Sequence, residues 1–436
     1  MSGLSLLVLQ IVVVLLVCRA IGWLFQRIHQ PRVVGEMVAG ILLGPSVLGW
    51  IAPGFSSLLF PSSSVGYLNA LSQVGLLIFM FLVGLGMNLS ELKRSGDSTL
   101  LTSHVSITIP FVMGSMLALY LYPRLSDDSV PFVSFCLFLG SAMSVTAFPV
   151  LARILGERNM LHTRLGTVAI ACAAVDDVTG WCILAYVIVL IRSGYSSTGP
   201  LFTVLGVIAF TLIMVYVVRP RLRRFESMFA NRGALTDGAL AILILVIFLS
   251  SLCTESLGIH LLFGAFLLGA IMPRSKDFVR YLHDRFETVT VTLLLPLFFA
   301  ATGLRMSIRF LNGPEMWLYC GVIIFVATAG KWGGSMLAAR LSGTPWREAA
   351  ALGVLMNTRG LMELVILNIG LDVKVISPAV FSMMVLMAVI TTFMTTPALK
   401  IIYGGELASG LNEHIVPAEG PDSSVPAMDT ASDSAA

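Results

Sequence analysis

Charged side chains are scarce in this chain. Asp, Glu, Lys and Arg make up 12% of its 436 residues, about half the ~25% of an ordinary soluble domain. Together with 57% hydrophobic residues gathered in repeated apolar runs, that shortage excludes a water-soluble globular fold. It predicts an all-α polytopic membrane protein embedded in a lipid bilayer. A strong charge of one sign is missing too: a net balance of +3 gives no pointer to nucleic acid, and no nucleic-acid partner is expected. Cysteine is sparse. The six (Cys18, Cys136, Cys172, Cys182, Cys253, Cys320) fall inside apolar segments with no C-x-x-C pair, so neither a metal site nor a disulfide framework is suggested, and they read as small core residues. A cleavage site is absent as well. The first apolar run is longer than a signal h-region and has no A-x-A-like end, so it reads as a first span.

What is present is a series of apolar windows of about 20 residues, the length that crosses ~30 Å of hydrocarbon. Thirteen candidate helices centre near Val14, Ala39, Met80, Met113, Leu139, Val175, Ile208, Leu245, Phe266, Leu295, Phe325, Met362 and Met387. The loops check this count through the positive-inside rule. With the N-terminus outside, nineteen of the 27 basic residues fall in inner loops and five in outer ones. The C-terminus is then cytoplasmic. Residues 404–436, rich in Ser, Ala, Pro, Asp and Gly, read as a short disordered tail. The tail has no G-x-G-x-x-G run and no length for a nucleotide-sensing module, and no cofactor is expected. The domain assignment is therefore 1–403 membrane domain, 404–436 tail.

Within the spans few ionisable residues lie deep: Asp176, Asp177, Lys331, Arg359 and Glu363, with Glu36 and Arg19 nearer the ends. A charge at the bilayer centre costs at least ~2.5–3.5 kcal/mol even on lenient scales. Two adjacent aspartates in the segment Thr163–Arg192 are the strongest functional signal in the chain. Asp176 lies about 13 residues, or ~20 Å, from the inner end of its helix, and Lys331 about 17 residues, or ~25 Å, from the outer end of its own. An ammonium and a carboxylate at similar depth are natural partners. A purely structural ion pair accounts for one aspartate only. Neighbours on a helix diverge by about 100°, so one can pair with Lys331 while the other looks into a cavity. A carboxylate removed from water favours its neutral form unless a cation replaces the proton. Competition for one carboxylate is the minimal machine for exchanging protons against cations.

Two spans carry polar interruptions. The fifth has the run from Ser141 through Ser144 and Thr146 to Pro149, where the proline frees carbonyls near Val145 and Thr146. The twelfth has Asn357, Thr358, Arg359 and Gly360. If helices one to six and eight to thirteen are two halves, both breaks are the fifth helix of a half and oppositely oriented, the pattern of an inverted-repeat transporter. An ordinary proline kink plus an unrelated polar turn is the alternative. Arg359 and Glu363, spaced i,i+4, share a face and can neutralise each other. Glu36 is placed to face the cytoplasm, Glu255 and His260 flank an outer helix end, and the methionines from Phe381 to Met394 read as packing.

Several runs resemble the second monovalent cation:proton antiporter family. They are Gln30–Ser46 (QPRVVGEMVAGILLGPS), Gly264–Gly269 (GAFLLG) and Leu295–Leu304 (LPLFFAATGL). Asn357–Leu364 (NTRGLMEL) resembles the branch of plant and fungal cation/proton exchangers and their bacterial relatives. The resemblance covers about residues 4–402. It implies thirteen helices with crossed, partly unwound helices five and twelve, and a core domain moving against a dimerisation domain in an elevator-like cycle. It also implies a homodimer in a bacterial inner membrane. By position, Asp177 matches the ion- and proton-binding aspartate, Asp176 its neighbour and Lys331 the lysine paired with that neighbour. Ser144 and Thr146 lie where the unwound helix contributes ligands. The aspartate pair tilts toward sodium, and the Asn357–Leu364 run toward potassium. No metal is implied beyond the transported monovalent cation. Two other classes remain: a passive cation channel, for which no filter-like repeat appears, and an intramembrane aspartyl protease, an enzyme whose two carboxylates must share a proton. Adjacent aspartates on one helix point apart, so an enzyme is not expected.

Overall fold

The computed structural model describes residues 3–86, 97–127, 129–158, 160, 163–192, 199–258 and 260–403. The expected tail over 404–436, and Lys93 and Arg94 of an inner loop, lie outside the described residues. Among the described residues all regular structure is helical. The first helices are α1 (Gly3–Arg27), α2 (Arg32–Leu43), α3 (Leu48–Ile51), α4 (Pro53–Leu59), α5 (Ser62–Gly86) and α6 (Asp97–Leu125). Next come α7 (Phe132–Ser144), α8 (Phe148–Glu157), α9 (Arg164–Arg192), α10 (Gly199–Ile213), α11 (Arg219–Arg232), α12 (Asp237–Ser256) and α13 (Leu262–Ile271). The chain finishes with α14 (Lys276–Val289), α15 (Leu295–Arg305), α16 (Pro314–Thr328), α17 (Gly334–Leu341), α18 (Trp346–Met356), α19 (Leu361–Asp372) and α20 (Pro378–Tyr403).

Several of these join end to end. Among the described residues eleven helical stretches are long and apolar enough to cross a membrane, and α18 with α19 makes a twelfth that is broken. The candidate near Phe266 is α13, whose ten residues extend only about 15 Å, half the ~30 Å of a hydrocarbon core. Gly258, at φ 83°, and Pro273 bracket it and keep it short. Among the described residues eleven or twelve helices long enough to cross, plus one short apolar helix, therefore stand where thirteen spans were expected.

Glycines let two helix pairs approach backbone to backbone, as small residues do in membrane bundles. A Cβ on Gly40 of α2 would strike the Phe299 carbonyl of α15, and one on Gly303 of α15 would strike the Gly40 carbonyl. A Cβ on Gly84 of α5 would strike the Phe266 carbonyl of α13, and one on Gly269 the Phe81 carbonyl. Among the described residues three helices contain a π turn: Met214–Val218, Thr290–Leu294 and Ala329–Gly333. Pro220 and Pro296 follow the first two. Each lacks an N–H and crowds the preceding turn, so the wider turn is the local answer. The third has no proline behind it and carries Lys331.

Two smaller expectations change. Cys182 and Cys253 are exposed on helix faces, while Cys18, Cys172 and Cys320 are buried. Glu36 does not face the cytoplasm: it is 3% exposed and ion-paired to Arg32 at 3.1 Å.

Candidate functional site

The site is built where two broken helices meet. α7 stops at Ser144 and α8 starts at Phe148, with Val145 (φ −78°, ψ 140°) and Ala147 (φ −84°, ψ 91°) extended between them. Pro149 falls in the first turn of α8, where an absent N–H leaves no helical bond unmade. α18 and α19 are bent by 42° across 357–360. The breaks touch: the Ala147 N–H donates to the Thr358 carbonyl at 3.1 Å, and the Thr146 hydroxyl lies 3.0 Å from the Met356 carbonyl. Buried unwound backbone must find partners elsewhere. Here Thr392 of α20 accepts from the Arg359 N–H at 2.9 Å and sits 2.7 Å from the Arg359 carbonyl.

Ending α7 inside the protein strands its last four carbonyls. Each has a donor. The Ser144 hydroxyl donates to the Ser141 carbonyl at 2.8 Å. Arg359 donates through Nη1 to Ala142 at 2.9 Å and through Nη2 to Met143 at 2.6 Å. Lys331 Nζ donates to the Ser144 carbonyl at 2.5 Å. Two buried cations thus sit at the negative end of a half-helix, which its dipole favours. Arg359 Nη1 also meets Glu363 Oε2 at 3.2 Å.

The neighbouring aspartates have opposite surroundings. Asp176 is fully buried and crowded with donors: Lys331 Nζ at 2.6 Å, the Thr146 hydroxyl at 2.9 Å, and the Ser106 hydroxyl 3.0 Å from each oxygen. With the Ser106 carbonyl accepting at 3.0 Å, Lys331 spends its three protons on Asp176, Ser106 and Ser144. Asp177 is 1% exposed, and neither oxygen has a hydrogen-bond partner.

The structure therefore brings Asp176, Lys331, Thr146 and the Ser144 carbonyl into one cluster, while Arg359, paired with Glu363, holds the Ala142 and Met143 carbonyls of the same α7 terminus. The Ser144 hydroxyl is turned back into its own helix. Ser106 escaped the reading of the sequence, as did Thr392. A hydroxyl inside an apolar span was their only signal, and many such hydroxyls merely bond their own helix. Glu255 accepts from the Leu261 N–H at 3.1 Å, closing the turn before α13. A cavity of about 510 Å³ is lined by Phe148, Pro149 and Leu361 beside the breaks, and by Arg153, His283 and Glu287.

Comparison with known proteins adds a family to this geometry. A family model described as sodium/hydrogen exchanger, transmembrane, matches residues 12–403. The chain is 42% identical over 403 residues to the Na(+)/H(+) antiporter NhaS4 of Synechocystis, covering 92% of this chain and 98% of that one. It is 38% identical to cation/H(+) antiporter 19 of Arabidopsis thaliana and 34% identical to K(+)/H(+) antiporter 1 of Saccharomyces cerevisiae. It covers 92% and 96% of itself in those matches but only 50% and 49% of the relatives, about half their length. In fold it is similar to the sodium proton antiporter MjNhaP1 of Methanocaldococcus jannaschii, with a TM-score of 0.63 over 94% of this chain and 99% of that one, at 15% identity.

Proposed function

The chain belongs to the sodium/hydrogen exchanger family, and from that premise we propose that it is a secondary active antiporter exchanging Na+ or K+ for H+. Asp177 is the shared carrier and Asp176–Lys331 a pair that opens during the cycle. The observation that supports this is the contrast between the two aspartates: one held by three side chains, its neighbour buried with both oxygens bare. Burying an anion without a counter-charge costs several kcal/mol, so Asp177 comes to rest with either a proton or a cation on it. It cannot hold both.

A cation arriving through the cavity meets Asp177 beside the unwound segment, where Thr146 and backbone carbonyls stand ready to replace water. As it draws Asp176 into its shell, Lys331 loses its counter-ion and releases a proton. The crossed half-helices then carry the site to the other face while α2, α5, α13 and α15 stay locked by their backbone contacts, the alternating-access cycle. In this reading residues 1–403 are the antiporter domain and 404–436 a cytoplasmic tail. The N-terminus is outside a bacterial inner membrane and the protein works as a homodimer.

Purified protein in proteoliposomes with a pH-sensitive dye tests the assignment. The parent exchanges Na+ or K+ for H+, and Asp177→Asn, isosteric and uncharged, exchanges neither. Robust exchange by that variant would reject Asp177 as carrier.

A further inference from the structure

Among the described residues, both oxygens of Asp177 and the side-chain carbonyl oxygen Oδ1 of Asn357 are buried without any hydrogen-bond partner. Asn357 is 2% exposed and caps the end of α18. An unsatisfied buried acceptor is destabilising, and native structures keep few without a reason. The chain on either side of Asn357 is tied to the strand of α7–α8 that faces the aspartates. Met356 offers its carbonyl to Thr146, which also bonds Asp176, and Thr358 offers its carbonyl to Ala147. Asp177 follows Asp176 directly on α9. The orphan amide oxygen, in the break between α18 and α19, and the bare carboxylate, on α9, therefore flank the same short stretch of α7–α8.

We propose that Asn357 Oδ1 is a ligand of the transported monovalent cation and sets which alkali ion is preferred. This inference rests on the antiport reading above and deepens it. The chemistry fits: two carboxylate oxygens and an amide oxygen, all without a partner, are ligands that suit a hard cation stripped of part of its water. A neutral amide adds a ligand without adding charge, so the site still balances one cation against one carboxylate. It stands in the α18–α19 break while Asp177 stands on α9, so the ion bridges those two elements, and the distance between their oxygens selects by ionic size. Glu363 Oε1 is unpaired as well, but its other oxygen already neutralises Arg359.

The test is exchange by proteoliposomes of the full chain, titrated with Na+ and separately with K+, for the parent and for Asn357→Ala and Asn357→Ser. The expected result is a rise of roughly tenfold in the half-saturating concentration of the preferred ion for Asn357→Ala. The Na+/K+ preference should shrink toward unity, with the smaller hydroxyl of Asn357→Ser restoring part of it. A role confined to capping α18 would lower the maximal rate of both ions together and leave their ratio alone. An unchanged ratio in both variants, in a protein whose parent exchanges normally, overturns this inference and leaves the antiport reading standing. A parent that exchanges no alkali ion overturns both. Should Asn357→Ala not fold, Asn357→Ser and the cation-dependent thermal stabilisation of detergent-solubilised protein carry the same comparison.

Discussion

Replacing Lys331 by glutamine strips three interactions from the interior at once. Asp176 loses its 2.6 Å ammonium partner, and the Ser106 and Ser144 carbonyls lose the donors that satisfied them. Asp176 keeps only the Thr146 and Ser106 hydroxyls. Breaking a buried pair from one side costs about 3–5 kcal/mol, because the remaining charge has no water to turn to. Removing the second charge as well, in Lys331→Gln with Asp176→Asn, returns much of that loss. A double-mutant cycle on unfolding free energies in mixed detergent should give a coupling of at least ~2 kcal/mol between the positions. Exchange by Lys331→Gln should be slowed and its dependence on membrane voltage altered. Single variants each within ~1 kcal/mol of the parent, with additive effects and unchanged voltage dependence, would refute both the buried pair and its place in the proton count.

Other outcomes follow from the same geometry. Arg359→Leu uncaps the Ala142 and Met143 carbonyls and isolates Glu363, so it should abolish folded protein, as judged by size-exclusion chromatography. Arg359→Lys, unable to hold two carbonyls with a planar fork, should survive but unfold more readily by about 2–3 kcal/mol. Thr146→Val keeps the side-chain shape and removes a hydroxyl that reaches both Asp176 and Met356. It should cost about 1–3 kcal/mol and slow exchange without abolishing it. Gly40→Val would drive a branched side chain into the Phe299 carbonyl, and a loss of at least ~1–3 kcal/mol should appear as sharply reduced yield of folded protein.

Much of this was legible in the chain before any coordinates. Asp176, Asp177 and Lys331 stood out because charge in an apolar run is costly and therefore rare. The depth estimate that paired Lys331 with one aspartate needed only helix rise and loop positions. The polar run ending at Pro149 and the Asn357–Gly360 run announced the two breaks. Other parts were hidden for physical reasons. The i,i+4 spacing of Arg359 and Glu363 pointed to each other and said nothing of Ala142 and Met143, more than two hundred residues away, whose carbonyls Arg359 also holds. Ser106 looked like any hydroxyl in a helix. Hydropathy marked the segment around Phe266 as apolar but not that Gly258 and Pro273 cut it to ten residues. Glu36 read as an interfacial acid because its burial against α1 depends on packing that the sequence of α2 does not contain.

The most direct test of a carboxylate shared between proton and cation is calorimetric titration of the detergent-solubilised protein with Na+ and K+ across a range of pH, in buffers of differing ionisation heat. Where Asp177 starts protonated, each ion bound should release the Asp177 proton and, as the Asp176–Lys331 pair opens, a second from Lys331, and the apparent dissociation constant should rise at least tenfold for each unit the pH falls. Asp177→Asn should bind neither ion measurably. Cation binding of constant affinity across that range with no proton released, or binding retained in Asp177→Asn, would contradict the account.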